Sequence, residues 1–421
     1  MRTVLVTGPG GAGTTTVAAA TARASARSGR RTLLVSRDHV PGFPDDPGPV
    51  AADALLDHAR TDSGAHFRAE LLALQERASA VFELLGAGRM DAEELTELPG
   101  STELALLHTL HRAAAGDWSQ AGYDTLVVAL PPLTEALALL ALPAQLRRYL
   151  RRLLPQERQA ARALRPVLAQ LAGVPMPAQW LYAAAARKDA ELAEAEALIA
   201  DRSTTLRLVA EPGPAAEDAL RTARTGLALH GLRTELLVAN RVLPRHSADP
   251  WFAGLAAQQE KTLARWYEDR APETAAPGGS ATAAPSREVL YEAPHLGHDP
   301  RGPEDLDLLG IPAPDDRPAG RADDPWWTER AAPEGPEGSE GSGGTDGPEG
   351  FVWCLPLPGA VKSGLRLVRR GDEILLAVGP FRRAVRLESA LRRCSVSGAA
   401  LRDGVLRVRF TPDPSLWPRT P

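Results

Sequence analysis

Gly8-Pro9-Gly10-Gly11-Ala12-Gly13-Thr14-Thr15-Thr16 lies between a short apolar run, Arg2 to Thr7, and a small-residue segment, Thr14 to Ser28. The first reads as a strand and the second as a helix, so the glycines form a strand-to-helix turn. Such a turn cradles phosphates with backbone N–H groups and a helix N-terminus, while a lysine neutralises charge and a Ser or Thr hydroxyl holds Mg²⁺. Gly8, Gly10, Gly11, Ala12, Gly13, Thr14, Thr15 and Thr16 are therefore the candidate nucleotide-binding residues. The loop contains no lysine; the lysines of the chain are Lys188, Lys261 and Lys362.

Outward from the loop, a second apolar strand runs from Thr32 to Ser36, and further strands are expected at Thr125 to Leu130, Thr204 to Ala210, Glu235 to Ala239 and Glu288 to Tyr291. Helical patterns separate them: His66 to Leu85, Thr102 to Ala115, Ala144 to Leu154, Ala178 to Ala200, Ala215 to His230 and Trp251 to Arg270. Strands alternating with helices imply an α/β fold, a doubly wound, mainly parallel sheet of the P-loop NTPase type, over residues 1–312. Residues 271–286, rich in Ala, Pro and Gly, read as a surface insertion. Residues 313–350, dominated by Pro, Gly, Glu and Asp, read as a disordered linker in which Trp326 and Trp327 either dock on a domain or stay loose. Short alternating runs with turn signals at Arg370-Gly371-Asp372 and Asp403-Gly404 then give a small all-β sandwich over 351–412, followed by a tail, 413–421.

Composition narrows the function classes. A hydrophobic share of 44% supports a substantial core, and a net charge of -5 gives no general electrostatic reason to expect nucleic-acid binding. Cys354 and Cys394 are too few for a disulfide framework or a thiolate metal site. No apolar run reaches the roughly 18 residues of a membrane span. The N-terminus enters a strand directly, without a charged-then-apolar leader, so a cytoplasmic location is expected.

The loop resembles the deviant phosphate loop of the arsenite-pump/guided-entry ATPase family, G-K-G-G-x-G-K-T-T, with Pro9 and Thr14 at the two lysine positions and Thr15 retained at the Mg²⁺-ligand position. LLVSRD, ending at Asp38, resembles the family's first switch, whose aspartate positions the attacking water; His39-Val40-Pro41 replaces the P-A-H that follows. Leu98-Pro99-Gly100 with Glu103 is similar to a P-G-x-x-E helix start. The run from Tyr123-Asp124 to Pro143 resembles the second switch, with Ala129 at its Mg²⁺-associated aspartate. Ala239-Asn240-Arg241-Val242-Leu243-Pro244 is similar to V-N-R-V-x-P, whose asparagine contacts adenine, and Pro294 falls in the region that closes over the base. LPLPG, RRGDEILLAVGPFRR and LRDGVLRVRF resemble the small-heat-shock-protein-like (α-crystallin-like) domain carried by bacterial, actinobacterial-type members.

The resemblance implies ATP–Mg²⁺ binding and hydrolysis by a dimer, homo- or heteromeric. The residues present weigh against turnover: each lost charge-assisted contact costs about 1.5–3 kcal/mol, and Pro9 also removes an N–H from the cradle. The expectation is a pseudo-ATPase scaffold or regulatory partner with ATP–Mg²⁺ weakly held or lost; the alternative is an ATP-hydrolysing enzyme in which Arg2, Arg37 or Arg241 replaces the lysines, or which works beside an active paralogue. Asp38 is the candidate catalytic residue, or else a strand-end cap. Asn240 is an adenine contact or a turn residue. Arsenite and zinc are not expected, because neither cysteine lies in the ATPase-like part. His108 and His111 read as a solvated helix face rather than metal ligands, and Arg147-Arg148 with Arg151-Arg152 as a solvated face rather than a contact for an acidic partner or a phosphate.

Overall fold

β1 (Arg2–Thr7) is buried along its whole length. A strand covered on both faces, in a parallel sheet flanked by helices, reads as a continuous apolar run. The computed structural model describes residues 1–77, 79, 88–154, 178–270, 288–315, 325–330, 350–413 and 415–416. The chain divides into two compact units: Met1–Gly213 with Thr234–Gly320, and Pro214–Arg233 with Arg321–Pro421.

The first unit holds an eight-stranded sheet built from β1, β2 (Thr32–Ser36), β3 (Val50–Asp53), β4 (Leu56–Arg60), β5 (Thr125–Ala129), β6 (Thr204–Ala210), β7 (Thr234–Val242) and β8 (Val289–Pro294). Their spatial order is β3-β4-β2-β5-β1-β6-β7-β8. Every neighbouring pair is parallel except β3 with β4. The helices of this unit are α1 (Thr14–Arg27), α2 (Ser63–Arg77), α3 (Ser101–Ala114), α4 (Leu133–Leu153), α5 (Ala178–Ala200), α7 (Pro250–Glu268) and α8 (Pro303–Leu308). Ala18, Ala19, Ala20 and Ala22 of α1 are buried in one core with Val4, Val6, Val127 and Val238; small side chains let this helix lie close to the sheet.

β3 and β4 have no counterpart in the sequence reading. Leu-Asp-His-Ala-Arg does not look like a buried strand, yet His58 is fully buried, with Nε2 2.9 Å from Ser36 Oγ and Nδ1 2.6 Å from the Pro44 carbonyl. Asp57 accepts a 2.7 Å hydrogen bond from the Tyr123 hydroxyl. The polar groups are satisfied by distant residues, which a local pattern cannot show. α4 starts at Leu133 rather than near Ala144, with Pro143 inside the helix; a proline usually signals a helix end. The helix expected to reach Leu85 is described to Arg77, and residues 80–87 and the insertion 271–286 lie outside the described residues.

The second unit combines α6 (Pro214–His230) with two antiparallel sheets of a β-sandwich. One sheet contains β9 (Trp327–Arg330), β10 (Phe351–Pro356), β14 (Cys394–Arg402) and β15 (Val405–Pro412) in the order β14-β15-β10-β9; the other is β11 (Leu365–Arg370), β12 (Glu373–Val378) and β13 (Phe381–Arg386). A short helix, α9 (Ser389–Arg392), precedes β14. Trp353, Leu355, Ile374, Leu376, Val378, Leu406, Val408 and Phe410 form the two-residue-period core. Asp403 and Gly404 both have positive φ, 50° and 69°, as a two-residue type I′ hairpin turn demands.

The linker reading needs correction at Trp327–Arg330: this segment pairs antiparallel with β10, Trp327 opposite Cys354 and Arg330 opposite Phe351. The Trp326 ring lies 6.0 Å from Trp353 and beneath the Arg383 guanidinium at 4.8 Å. The tryptophans are thus part of the second unit. Residues 316–324 and 331–349 of the same stretch lie outside the described residues.

Candidate functional site

The loop after β1 is held by backbone geometry. A Cβ on Gly8 would stand 1.8 Å from the Val209 carbonyl oxygen, so no side chain fits. The Gly8 carbonyl accepts from Leu133 N at 2.9 Å, and Thr7 Oγ1 donates to the Pro131 carbonyl at 2.8 Å, tying the loop to the entry of α4. Gly11 and Gly13 have φ of 80° and 88°, a region that glycine enters without a side-chain penalty. Gly13 caps α1 without any side-chain hydrogen bond, and the first-turn amides of Thr14, Thr15 and Thr16 have no intrahelical partner to bind.

Two residues at the end of β7 close over this loop. Asn240, 4% exposed, donates from Nδ2 to the Ala12 carbonyl at 2.8 Å. A Cβ on Gly13 would meet that same nitrogen at 2.4 Å. Arg241 adopts φ 57° and donates to the Gly11 carbonyl at 3.2 Å while lying 3.3 Å from Glu211. A cavity of about 270 Å³ opens beside them, bringing Gly13, Thr16, Asn240 and Pro294 together with His295, His298 and Asp299.

The other candidates stand outside this cavity. Gly8, Gly10, Gly11, Ala12, Thr14 and Thr15 belong to the loop but do not line it. Asp38 lies beyond the end of β2, 61% exposed, its carboxylate 3.1 Å from Arg37 Nε and its carbonyl accepting from Ser36 Oγ at 2.8 Å. β5 separates β2 from β1 in the sheet. Ala129 pairs in register with Val6, two positions before Gly8. Of the three arginines considered as lysine replacements, Arg2 sits at the opposite end of β1 and is engaged with Glu235 and the Ser203 carbonyl. Arg241 alone among them contacts the loop.

Comparison with known proteins follows this geometry. The profile of the anion-transporting ATPase family, ArsA, matches residues 1–273, and that of an HSP20-like domain found in ArsA matches residues 348–410. The chain belongs to the ArsA family. An uncharacterised protein of Streptomyces coelicolor is 53% identical to this ArsA-family chain over the full length of both. A Mycobacterium tuberculosis protein is 31% identical, covering 99% of this chain and 97% of its own length. A protein of Aquifex aeolicus that carries the name arsenical pump-driving ATPase 1 is 23% identical over 93% of this chain and 95% of its own. The P-loop-type α/β unit and the β-sandwich of the structure agree with both profiles.

Elsewhere in this ArsA-family chain the helix-face reading holds for the exposed Arg151 and Arg152 and is corrected for His108, His111 and Arg147. His108 stacks on His66 with ring centroids 4.6 Å apart. Burial, then the neighbouring His66 and Lys188, pull His108 down to about 4, and burial also lowers His66. His111 Nδ1 lies 2.6 Å from Glu194 Oε2, close enough for an ion pair though without hydrogen-bond geometry. An acidic partner is therefore present and the face is not solvated. Among the described residues no three His, Cys, Asp or Glu side chains are arranged to hold a metal ion. Arg147 is paired within the chain, with Asp189 at 3.0 Å and Glu196 at 2.8 Å of α5. Among the described residues no helix is long and apolar enough to cross a membrane.

His295, His298, Asp299 and Arg241 are the site residues that the sequence reading passed over or ranked low. The signal for the first three is their position: they fall within five residues after Pro294, at the end of the strand that pairs with β7.

Proposed function

We propose that this ArsA-family protein is a regulatory member whose nucleotide site has lost efficient ATP hydrolysis, acting in the cytoplasm as a scaffold for a protein partner, a family paralogue in a heterodimer foremost. One observation carries the reading. By resemblance to the family's phosphate loop and second switch, Pro9 and Thr14 stand at the lysine positions and Ala129 at the carboxylate position, the last of these in the strand beside β1. Phosphoryl transfer depends on positioning and charge neutralisation, and all three groups that would supply them are missing together.

The donor set fits a flat heterocycle better than a triphosphate. The cavity offers hydrogen-bonding groups from Asn240 and the two histidines beside Asp299, whereas its guanidinium, that of Arg241, is shared with Glu211. The ATP–Mg²⁺ implied by the family therefore fits poorly at its phosphate end, and Thr15 would serve as a Mg²⁺ ligand only with a triphosphate in place. Arsenite has no thiolate to bind in the α/β unit, since Cys354 and Cys394 lie in the other unit.

Calorimetry with ATP–Mg²⁺ on the natural chain and on Pro9→Lys/Thr14→Lys/Ala129→Asp tests this reading. Binding and turnover recovered only in the restored variant support it; turnover near one per second in the natural chain refutes it. Arg241 favours a second reading, in which this guanidinium leaves Glu211 to neutralise phosphate. Micromolar ATP binding by the natural chain that Arg241→Ala abolishes would establish that alternative.

A further inference from the structure

Although the whole chain is net negative, basic side chains outnumber acidic ones by more than two to one between residues 350 and 413. The three-stranded sheet shows where several of them gather. Its pairing register places three rows across the strands on the outer face: Arg366–Ala377–Arg382, Val368–Leu375–Ala384 and Arg370–Glu373–Arg386. The alternate positions Ile374, Leu376 and Val378 point into the core and are buried. The outer face is thus an apolar strip with an arginine at each of four corners. Val368 is 56% exposed at the centre of β11, and Arg386 has 74% of its side chain exposed.

The dimensions follow from strand geometry. Arg366 and Arg370 are about 13 Å apart along the strand, and β11 and β13 are about 10 Å apart across the sheet. A helix about 10–12 Å wide, lying along the apolar strip, fits between the two arginine-bearing rows. The rows are unequal: Glu373 stands in one, and Asp372 lies 3.5 Å from Arg386, whereas the Arg366–Arg382 row has alanine at its centre. Arg382 also donates to the Gly379 carbonyl at 2.8 Å, which sets its guanidinium at the sheet edge.

We infer that this face docks an acidic amphipathic helix of another protein, its apolar stripe on Val368, Leu375 and Ala384 and its carboxylates reaching the arginines on either side. Charge complementarity selects the acidic flanks, and the strip between the arginines, exposed Val368 with partly buried Leu375 and Ala384, selects the apolar stripe. The acidic run of the chain itself, Glu334 to Glu349, matches the charge but contains no large apolar side chain to cover Val368. The inference concerns the second unit and holds whether or not the α/β unit binds nucleotide.

The test is fluorescence anisotropy of the full chain with a labelled, end-blocked peptide of about 15 residues, leucines at every third or fourth position and glutamates on both flanks. Saturable binding is expected, weakened at least about tenfold by Arg366→Ala/Arg382→Ala and by Val368→Asp, and largely kept by Arg366→Lys/Arg382→Lys. All three positions are exposed, so matching thermal melts establish that the variants remain folded. No binding overturns the inference, as does binding that the alanine variant leaves unchanged. Equal binding of the glutamine-for-glutamate peptide, or of a peptide copying residues 331–350, removes the charge or the apolar half of the argument respectively. Tighter binding of a single-stranded oligonucleotide than of the peptide reassigns the face.

Discussion

Replacing Glu235 by alanine should destabilise the α/β unit far more than loss of an ordinary ion pair. Glu235 Oε1 accepts from Arg207 Nε at 2.6 Å, and Oε2 accepts from Thr205 Oγ1 at 2.8 Å while pairing with Arg2. The Arg207 and Arg2 side chains are only 3% and 9% exposed. Burial already pulls Arg207 below its ordinary pKa, with Glu235 opposing that pull. Without the carboxylate two guanidinium groups stay buried with no anion between them, a change that costs about 3–5 kcal/mol, against about 0–1 kcal/mol for an exposed pair. Arg207 also donates to Thr21 Oγ1 at 3.0 Å and to the Pro312 carbonyl at 2.7 Å, so the loss should loosen α1 and the end of this unit. Urea unfolding followed by a probe in the α/β unit measures the effect, and a cycle with Arg207→Met isolates the coupling. A loss below about 1 kcal/mol would refute the reasoning, because it would mean that water reaches the guanidiniums and screens them as at a surface.

Gly8→Ala should cost at least about 1–3 kcal/mol as β6 is pushed away, and near-wild-type unfolding in urea would show that the loop adjusts freely. Acid should weaken the fold through two histidines held near pH 4: His108, by burial with His66 and Lys188, and His230, by burial with Arg383. Each is neutral in the folded state near neutral pH, so stability is complete above the ordinary histidine range and falls as the pH drops from about 6.5 towards 4, by up to about 3 kcal/mol for His230 and by less for the half-buried His108, which water screens. Urea titrations between these limits on the natural chain and on His108→Gln or His230→Gln check this; an identical pH slope in all three would count against it. ATP–Mg²⁺ should bind Pro9→Lys/Thr14→Lys/Ala129→Asp more tightly than the natural chain by about two to four decades, from about 1.5–3 kcal/mol per restored lysine contact, as calorimetry reads directly.

Much of the α/β unit is legible because its central strands are nearly pure apolar runs and its first helix is built of alanines, patterns that burial on two faces produces. β4 is not, since Asp57, His58 and Arg60 become tolerable only after Tyr123, Pro44 and Asp45 have arrived from elsewhere in the chain. α4 is obscured by Pro143, which the helix accommodates. β9 hides in a stretch whose prolines and glycines dominate its average composition, although four of its residues find a partner strand. At the site, glycine spacing picks out the loop as a candidate and the family resemblance adds Asn240, which the fold places against that loop. What spacing cannot reveal is that the Asn240 amide spends itself on the Ala12 carbonyl, or that a left-handed backbone at Arg241 turns its guanidinium onto the loop.

The discontinuous second unit constrains how this protein can be taken apart or inherited. α6 lies in the sequence between β6 and β7, yet Thr225 Oγ1 donates to the Pro358 carbonyl at 2.6 Å and the Leu229 carbonyl accepts from Arg383. A stop codon after residue 320 would not release a clean ATPase-like body; it would leave a helix in mid-sequence stripped of the residues that its own groups bind. Recombination that swaps the C-terminal module between relatives faces the same obstacle, because the incoming module must match a helix encoded about a hundred codons upstream. A change on either stretch therefore calls for a matching change on the other.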